Sequence, residues 1–324
     1  MGGDTRQRMR AVVAKRRGGP EVLELAEVPR PSPKPGEVLV RVHAAGVNAS
    51  DRHLRRSPFH LPLLRLLGRA PVAGLELAGV VAERGPGATR FEVGEEVYGA
   101  LPGSLDGGTY AEFVRMREDW LGRKPRNVSF EEAAGLPVGG MTALQMLRDK
   151  ARITQGQRVL VNGASGAVGM VAVQLAKAKG CEVVGACSTG NVELVRSLGA
   201  GRVVDYKREH VRTAGTFDVL FDAVGVLQRP DVVALLRPGG AWITTVPRPD
   251  SFADLMYYRR HGLRAFVAMV RPSASDLAEL AAQVEAGALR IPIDQVLPLG
   301  EAAKAQARLE SGHPRGRLVL KVAG

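Results

Sequence analysis

The stretch VNGASGAVG, residues 161–169, lies between the apolar run of residues 158–162 and a helix-like segment. Gly163, Gly166 and Gly169 punctuate it at GxxGxxG spacing, because both Ala164 and Ser165 intervene where GxGxxG has one residue. A bare glycine pattern says little. Here a strand precedes the loop, and the helix it opens carries Val168, Val171, Ala172, Leu175 and Ala176 on one apolar face. With no side chains in the way, backbone amides can approach a pyrophosphate, whose charge a helix N-terminus favours. Gly163, Ala164, Ser165, Gly166, Ala167, Val168 and Gly169 are therefore the candidate cradle of a dinucleotide, with a purely structural turn as the alternative.

Outward from this loop the pattern is strand, helix, strand, helix. Apolar runs at residues 159–161, 183–186, 203–204, 219–223 and 242–246 alternate with helical stretches at 166–179, 191–198 and 230–236. Such alternation predicts a parallel sheet with crossover helices, a doubly wound α/β domain over residues 131–265. The first third reads differently. Short apolar runs at residues 38–42, 79–82, 96–99 and 110–114, separated by Gly and Pro, indicate a mostly-β module. Pro29, Pro31, Pro33 and Pro35 with Gly36 form a stiff entry to a strand. The last segment holds helices at 275–286 and 300–309 and a final strand at 317–322.

With 324 residues, 45% of them hydrophobic, the chain can fill a sizeable core. No apolar run approaches the roughly 20 residues needed to cross a bilayer, and MGGDTRQRMR lacks the apolar stretch of a signal peptide, so a cytoplasmic protein is expected. Cys181 and Cys187 are too few for a disulfide framework or a four-thiolate metal site, and read as core residues. The 45 Lys and Arg against 33 Asp and Glu give a net charge of +12. That excess would suit a polyanion, but it is dispersed and accompanies no nucleic-acid reader motif.

Cofactor choice is made past the second strand, where an Asp or Glu on the ribose hydroxyls marks NAD. Here Ser188, Thr189 and Asn191 stand at that point. They bring no carboxylate to repel a 2′-phosphate and offer groups that can donate to it, so NADP(H) is favoured, although Gly190 supplies no cationic clamp. Tyr206, with Lys207 and Arg208 beside it, either stacks near an adenine or packs at the end of the third strand.

Further stretches carry a resemblance. GVNASD (residues 46–51), GLELAGVV (74–81), FEVGEEVYG (91–99), GGTYAE (107–112), LPVGGMTA (136–143), QLAK (174–177) and LGA (198–200) resemble the medium-chain dehydrogenases/reductases, in the zinc-free quinone oxidoreductase branch that includes zeta-crystallin-like proteins. The resemblance covers nearly the whole chain after residue 10. It implies a GroES-like catalytic domain split between residues 1–130 and 266–324, with the Rossmann domain between, and a homodimer joined through edge strands of the nucleotide domains.

Zinc members of this family carry a Cys near the position of Asn48 and Gly-His-Glu where Gly74-Leu75-Glu76 stands, so no metal ligand is expected: Leu75 cannot bind zinc. Glu76 then reads as a turn or inter-domain hydrogen-bonding residue. Without a Lewis acid, the chemistry implied is hydride delivery from NADPH to an acceptor that takes charge by its own conjugation, a quinone or an α,β-unsaturated ketone or aldehyde. By family position the catalytic candidates are Asn48, Asp51, His53 and Thr142. His53, where relatives carry a tyrosine, is either a proton or hydrogen-bond donor or a solvated loop histidine among Arg52, Arg55 and Arg56. Thr142 matches a family threonine near the nicotinamide. Val224, Val246, Phe266, Val267, Arg315, Gly316 and Arg317 match cofactor-contacting positions, Val246 ending a strand and Phe266 with Val267 in a loop. Residues 57–69, SPFHLPLLRLLGR, form a lid over an apolar pocket or a buried helix. The reading that competes with an enzyme is an NADPH-binding sensor or RNA-associated protein that draws on the +12 charge.

Overall fold

The computed structural model describes residues 7–103, 105, 107–246, 251–312 and 314–323. Its contacts divide the chain into two units, one of residues 1–138, 271–285 and 291–324, the other of residues 139–270 and 286–290.

The first unit is built mainly of strands. β1 (Arg8–Ala14) and β2 (Leu23–Pro29) pair antiparallel as a ribbon; neither was expected from the sequence. β3 (Glu37–Gly46), β4 (Glu76–Arg84), β5 (Glu96–Ala100), β6 (Phe113–Arg117) and β7 (Leu121–Arg123) join β14 (Ile293–Pro298) and β15 (Arg317–Lys321) in a seven-stranded sheet. Its order is β14-β15-β3-β4-β5-β7, with β6 on β3. The end of the chain enters this sheet where β15 pairs antiparallel with β3, Val319 opposite Gly46 and Lys321 opposite Ala44. Val38, Val40 and Val42 alternate along β3 and bury into one core with Leu77, Phe91 and Leu320, as period-two patterning requires. Burying each such side chain is worth about 1.5–3 kcal/mol.

Short helices flank the sheet: α1 (Asp51–Arg56), α2 (His60–Leu66) and α3 (Phe130–Ala134). Ser129 starts α3 with a capping box, its Oγ accepting from the Glu132 N–H and the Glu132 carboxylate accepting from its own. α2 divides the leucine-rich segment between its two readings: Leu61 and Leu64 are buried, while Phe59 is 79% and Leu66 83% exposed. α9 (Ala274–Glu285) and α10 (Ala302–Glu310) complete the unit.

α4 (Pro137–Leu144) runs from the first unit into the second and continues as a π-helical stretch, Gln145–Ala151, closed by Arg152 in the left-handed region (φ 55°). The second unit's sheet comprises β8 (Arg158–Asn162), β9 (Glu182–Cys187), β10 (Arg202–Asp205), β11 (Phe217–Asp222), β12 (Leu236–Thr244) and β13 (Arg264–Val267), all parallel. Spatially they run β10-β9-β8-β11-β12-β13, so strand order reverses between β8 and β11, the doubly wound arrangement. α5 (Ala167–Ala178), α6 (Val192–Ser197), α7 (Arg229–Leu235) and α8 (Ser251–Arg260) are its helices. α5 is covered more fully than one apolar face would require, with every residue from Gly169 to Ala176 buried. The reason is residues 286–290: the Gln174 amide donates to Arg290 O at 3.1 Å and accepts from Arg290 N at 2.9 Å.

The three loop glycines have different causes. Gly163 adopts φ +80°, and a Cβ there would overlap Val224. A Cβ on Gly169 would overlap the carbonyl oxygen of Gly163, so this glycine lets α5 press against the loop. Gly166 is exposed and has an ordinary φ of −79°; its Cβ would meet only Gly163 O, at 3.3 Å. Gly169→Ala should therefore lower stability by about 1–3 kcal/mol, the range for overpacking, whereas Gly166→Ala should leave the thermal midpoint within a degree or so of the parent. Differential scanning calorimetry of the two variants checks this.

Candidate functional site

In the second unit the sequence candidates fall along one edge of the sheet, at the C-terminal ends of its strands. Gly163 follows β8, Ser188 and Thr189 follow β9, Tyr206 follows β10, and Val224 follows β11. Val246 does not end a strand as expected: β12 stops at Thr244, whose Oγ1 accepts the Val246 N–H at 3.2 Å and turns the chain. Phe266 and Val267 lie not in a loop but in β13, opposite Ile243 and Thr244. At the loop, Met170 N–H bonds Gly166 O at 2.9 Å, leaving the first-turn donors of Ala167, Val168 and Gly169 outside the helix ladder. Gly139 on α4 packs so closely that a Cβ would lie 2.6 Å from Ala167 O, and Thr142 follows one turn later.

Two buried side chains that the sequence did not single out pin this edge at the order reversal. Asn162 Nδ2 donates to Asp222 Oδ1 at 2.8 Å, and the same oxygen accepts the N–H groups of Val224 (3.2 Å) and Gly225 (2.9 Å). The available signal was a carboxylate closing an apolar run at a strand's C-terminal end.

The surroundings of β9 need one correction. No carboxylate follows β9 in sequence, but the parallel register sets Asp205 at the end of β10 beside Cys187. The Thr189 hydroxyl bonds the Asp205 carboxylate and holds it below the usual range. Lys207 N–H adds a bond of 3.0 Å, and the Arg208 guanidinium lies 3.5 Å away. Asn191 is buried with its Nδ2 3.4 Å from Ser188 Oγ and its Oδ1 unpaired. Tyr206 is 54% exposed, against the strand-end packing alternative.

In the first unit a chain of buried polar groups connects residues far apart in sequence. Glu76 opens β4 rather than a turn and has no exposed surface. Its carboxylate accepts from Asn48 Nδ2 (2.8 Å), Val138 N (2.7 Å) and the Arg317 guanidinium, which also reaches Asn48 Oδ1 at 3.1 Å. Arg317, expected among the cofactor contacts, is thus buried against Glu76, while Arg315 is exposed and Gly316 takes φ +141°. Asp51 lies behind Asn48: its Oδ2 accepts from Asn48 N (2.9 Å) and the Tyr110 hydroxyl (2.6 Å), and its Oδ1 has no partner. Burial pushes the Asp51 carboxyl up to about 7, against the pull of those two bonds, and burial with the adjacent Asp51 lifts the Tyr110 hydroxyl well above its usual range.

His53 belongs to α1, and its side chain lies outside the described residues. Of the arginines around it, Arg52 and Arg56 are exposed and Arg55 is not. Arg55 is fully buried, bonding Gln306 Oε1 (2.6 Å), Gly18 O (3.0 Å) and Glu310, and Arg56 pairs with Glu310 at 3.0 Å. Asn48, Arg52, Gln306, Leu309 and Glu310 line a cavity of about 220 Å³ within this unit. Both cysteines are free and buried, and no helix among the described residues is long and apolar enough to cross a membrane.

This architecture has relatives. Residues 34–126 match the family profile described as alcohol dehydrogenase GroES-like domain, and residues 198–320 one described as zinc-binding dehydrogenase. The chain is 33% identical to a mitochondrial NAD(P)H oxidoreductase of Homo sapiens, over 89% of this chain and 82% of that protein. It is 32% identical to a chloroplastic NADPH-dependent alkenal/one oxidoreductase of Arabidopsis thaliana, over 96% of this chain and 79% of the relative. Among solved structures, the quinone oxidoreductase from Coxiella burnetii superposes with a TM-score of 0.90 at 32% identity, covering 98% of this chain and all (100%) of that one.

Asp51 gives stability a pH dependence of definite sign. Folding raises its pKa from the ordinary 3.8 to about 7, so between these values the native state retains a proton that the unfolded chain has lost. Its contribution is full below pH 4, declines as pH rises towards 7, and is lost above, a change of a few kcal/mol. The urea midpoint of the parent should fall relative to that of Asp51→Asn between pH 4 and 7.5; parallel pH profiles would contradict this.

Proposed function

Because the chain belongs to the medium-chain dehydrogenase/reductase superfamily, we propose that it is an NADPH-dependent oxidoreductase, working without zinc, that reduces a quinone or an α,β-unsaturated ketone or aldehyde. The observation that carries the proposal is the edge of the parallel sheet, where every strand end bears a candidate residue and the first-turn N–H groups of α5 are left outside the helix ladder, which is where a diphosphate approaches a doubly wound fold. Gly163 to Gly169 would hold the phosphates, with Val224, Val246 and Tyr206 supplying apolar surface along the same edge. Bound NADPH supplies the hydride.

The preference for NADPH over NADH rests on Asp205 being already engaged. Its charge is met by Thr189, the Lys207 N–H and Arg208, so a 2′-phosphate near Ser188 and Asn191 faces Lys207 and Arg208 rather than a bare carboxylate. The first unit is assigned to the acceptor. Asn48 Nδ2 has a second hydrogen beyond the one given to Glu76, and the amide lines the cavity, where it can donate to an oxygen that gains charge as the acceptor is reduced. Asp51, wholly buried, fixes the Asn48 backbone from behind.

The zinc that one matching profile's description implies does not fit these residues. A catalytic zinc needs three protein ligands; Leu75 offers none, and Asn48 and Glu76 are spent on each other and on Arg317. Among the described residues no group of three or more His, Cys, Asp or Glu side chains could hold a metal. A homodimer through an edge of the parallel sheet completes the proposal.

Fluorescence titration should give an NADPH Kd roughly tenfold below that for NADH, the scale of one charge-assisted interaction, with Gly166→Ala weakening both. NADPH oxidation should accelerate with a simple quinone or alkenal and be unaffected by a chelator. Equal affinities would overturn the cofactor assignment, and activity abolished by chelator and restored by zinc would overturn the metal-free one.

A further inference from the structure

The cavity of about 220 Å³ in the first unit has a charge that the polar chain around it leaves unanswered. Its lining includes two ionised side chains, Arg52 and Glu310. Glu310 is neutralised from behind, one carboxylate oxygen bonded by Arg55 and the other by Arg56 at 3.0 Å. Arg52, exposed on α1, makes no hydrogen bond or ion pair among the described residues. Two amides add donors. Gln306 is 2% exposed; its Oε1 is held by Arg55 at 2.6 Å, while its Nε2, near the Tyr110 hydroxyl, has no partner in hydrogen-bond geometry. Asn48 has the spare N–H already described.

An unpaired guanidinium and the spare N–H of Asn48 therefore line one small space beside the Gln306 amide, and its acceptor groups, Glu310 and the amide oxygens, are occupied. An incoming oxygen would meet donors that no protein acceptor satisfies. We propose that this cavity receives an anionic oxygen group, a carboxylate or phosphate, with Arg52 as the residue that selects it. A carboxylate-bearing enone would bring that group, which deepens the reading of this protein as an enone reductase and rests on it; free phosphate is the other source. The volume is below the roughly 300 Å³ typical of sites for drug-sized ligands, as suits one charged group with a short carbon skeleton.

Arg52→Gln tests the proposal with little disturbance to the fold, since Arg52 is exposed and makes no hydrogen bond or ion pair among the described residues. Calorimetric titration of the full-length protein and the variant would use (E)-4-oxo-2-pentenoate, its methyl ester and inorganic phosphate. If the acceptor brings the anion, the variant binds the acid at least tenfold more weakly, a change the ester does not show. If free phosphate is the ligand, phosphate affinity falls at least tenfold and the acid-to-ester ratio is unchanged. Either result supports the anion site, and Arg52→Lys should restore part of the loss. All three affinities unchanged in Arg52→Gln would overturn it. Turnover is scored separately: failure of the parent to reduce any enone or quinone would sink the proposed function and leave the binding result standing.

Discussion

A buried carboxylate must be paired, and the pairing of Glu76 organises the first unit. Glu76 opens β4 with no exposed surface, and its partner Arg317 comes from β15, 241 positions later. Losing one member of such a pair would leave a buried charge uncompensated, at a cost of about 3–5 kcal/mol, so the final strand is held to the N-terminal third by electrostatics as well as by the β15–β3 ladder. The same pair bears on the proposed chemistry. Glu76 Oε1 is shared by Asn48 and Arg317 while Oε2 takes the Val138 N–H. A carboxylate closed in this way is a structural anchor, and Asn48, oriented by it, presents an amide where a metal enzyme of the superfamily would need a ligand.

The second unit solves a different problem, assembling a binding edge from loops that lie far apart in sequence. Parallel strands send all their C-terminal ends the same way, and reversal of strand order between β8 and β11 separates the loops there. Asp222 keeps that opening in shape by accepting from Asn162 and from two backbone N–H groups. Gly169 serves by packing and Gly163 by conformation, whereas Gly166 is exposed with only Gly163 O near the position of a Cβ. Rigid elements thus carry the loop, so that in the proposed function preformed dipoles would meet the phosphates without reorganisation.

What was legible in the sequence was what depends on local pattern. Alternating runs gave the doubly wound parallel sheet because its central strands are buried along their length. The resemblance supplied Asn48, Asp51 and Arg317 as residues of interest but not their partners. Glu76–Arg317, Asp51–Tyr110 and Arg55–Glu310 join positions 59 to 255 apart, and no periodicity reports such separations. Asp205 shows the same limit on a smaller scale. Scanning past β9 finds no carboxylate, yet the register of β10 brings one alongside. The ribbon of β1 and β2 escaped because its burial is irregular along β2, and α5 looked amphipathic because the segment that covers its second face follows more than 100 positions later.

In the proposed function, reduction occurs at a conjugated carbon, with no metal to activate a carbonyl. The deciding measurement is mass spectrometry of an enone product formed, with a chelator present, from NADPH deuterated at the transferable position of the nicotinamide. The expected product is a saturated ketone carrying one deuterium on the carbon β to the carbonyl. An allylic alcohol with deuterium on the carbonyl carbon, or product formed only when zinc is added, would contradict it.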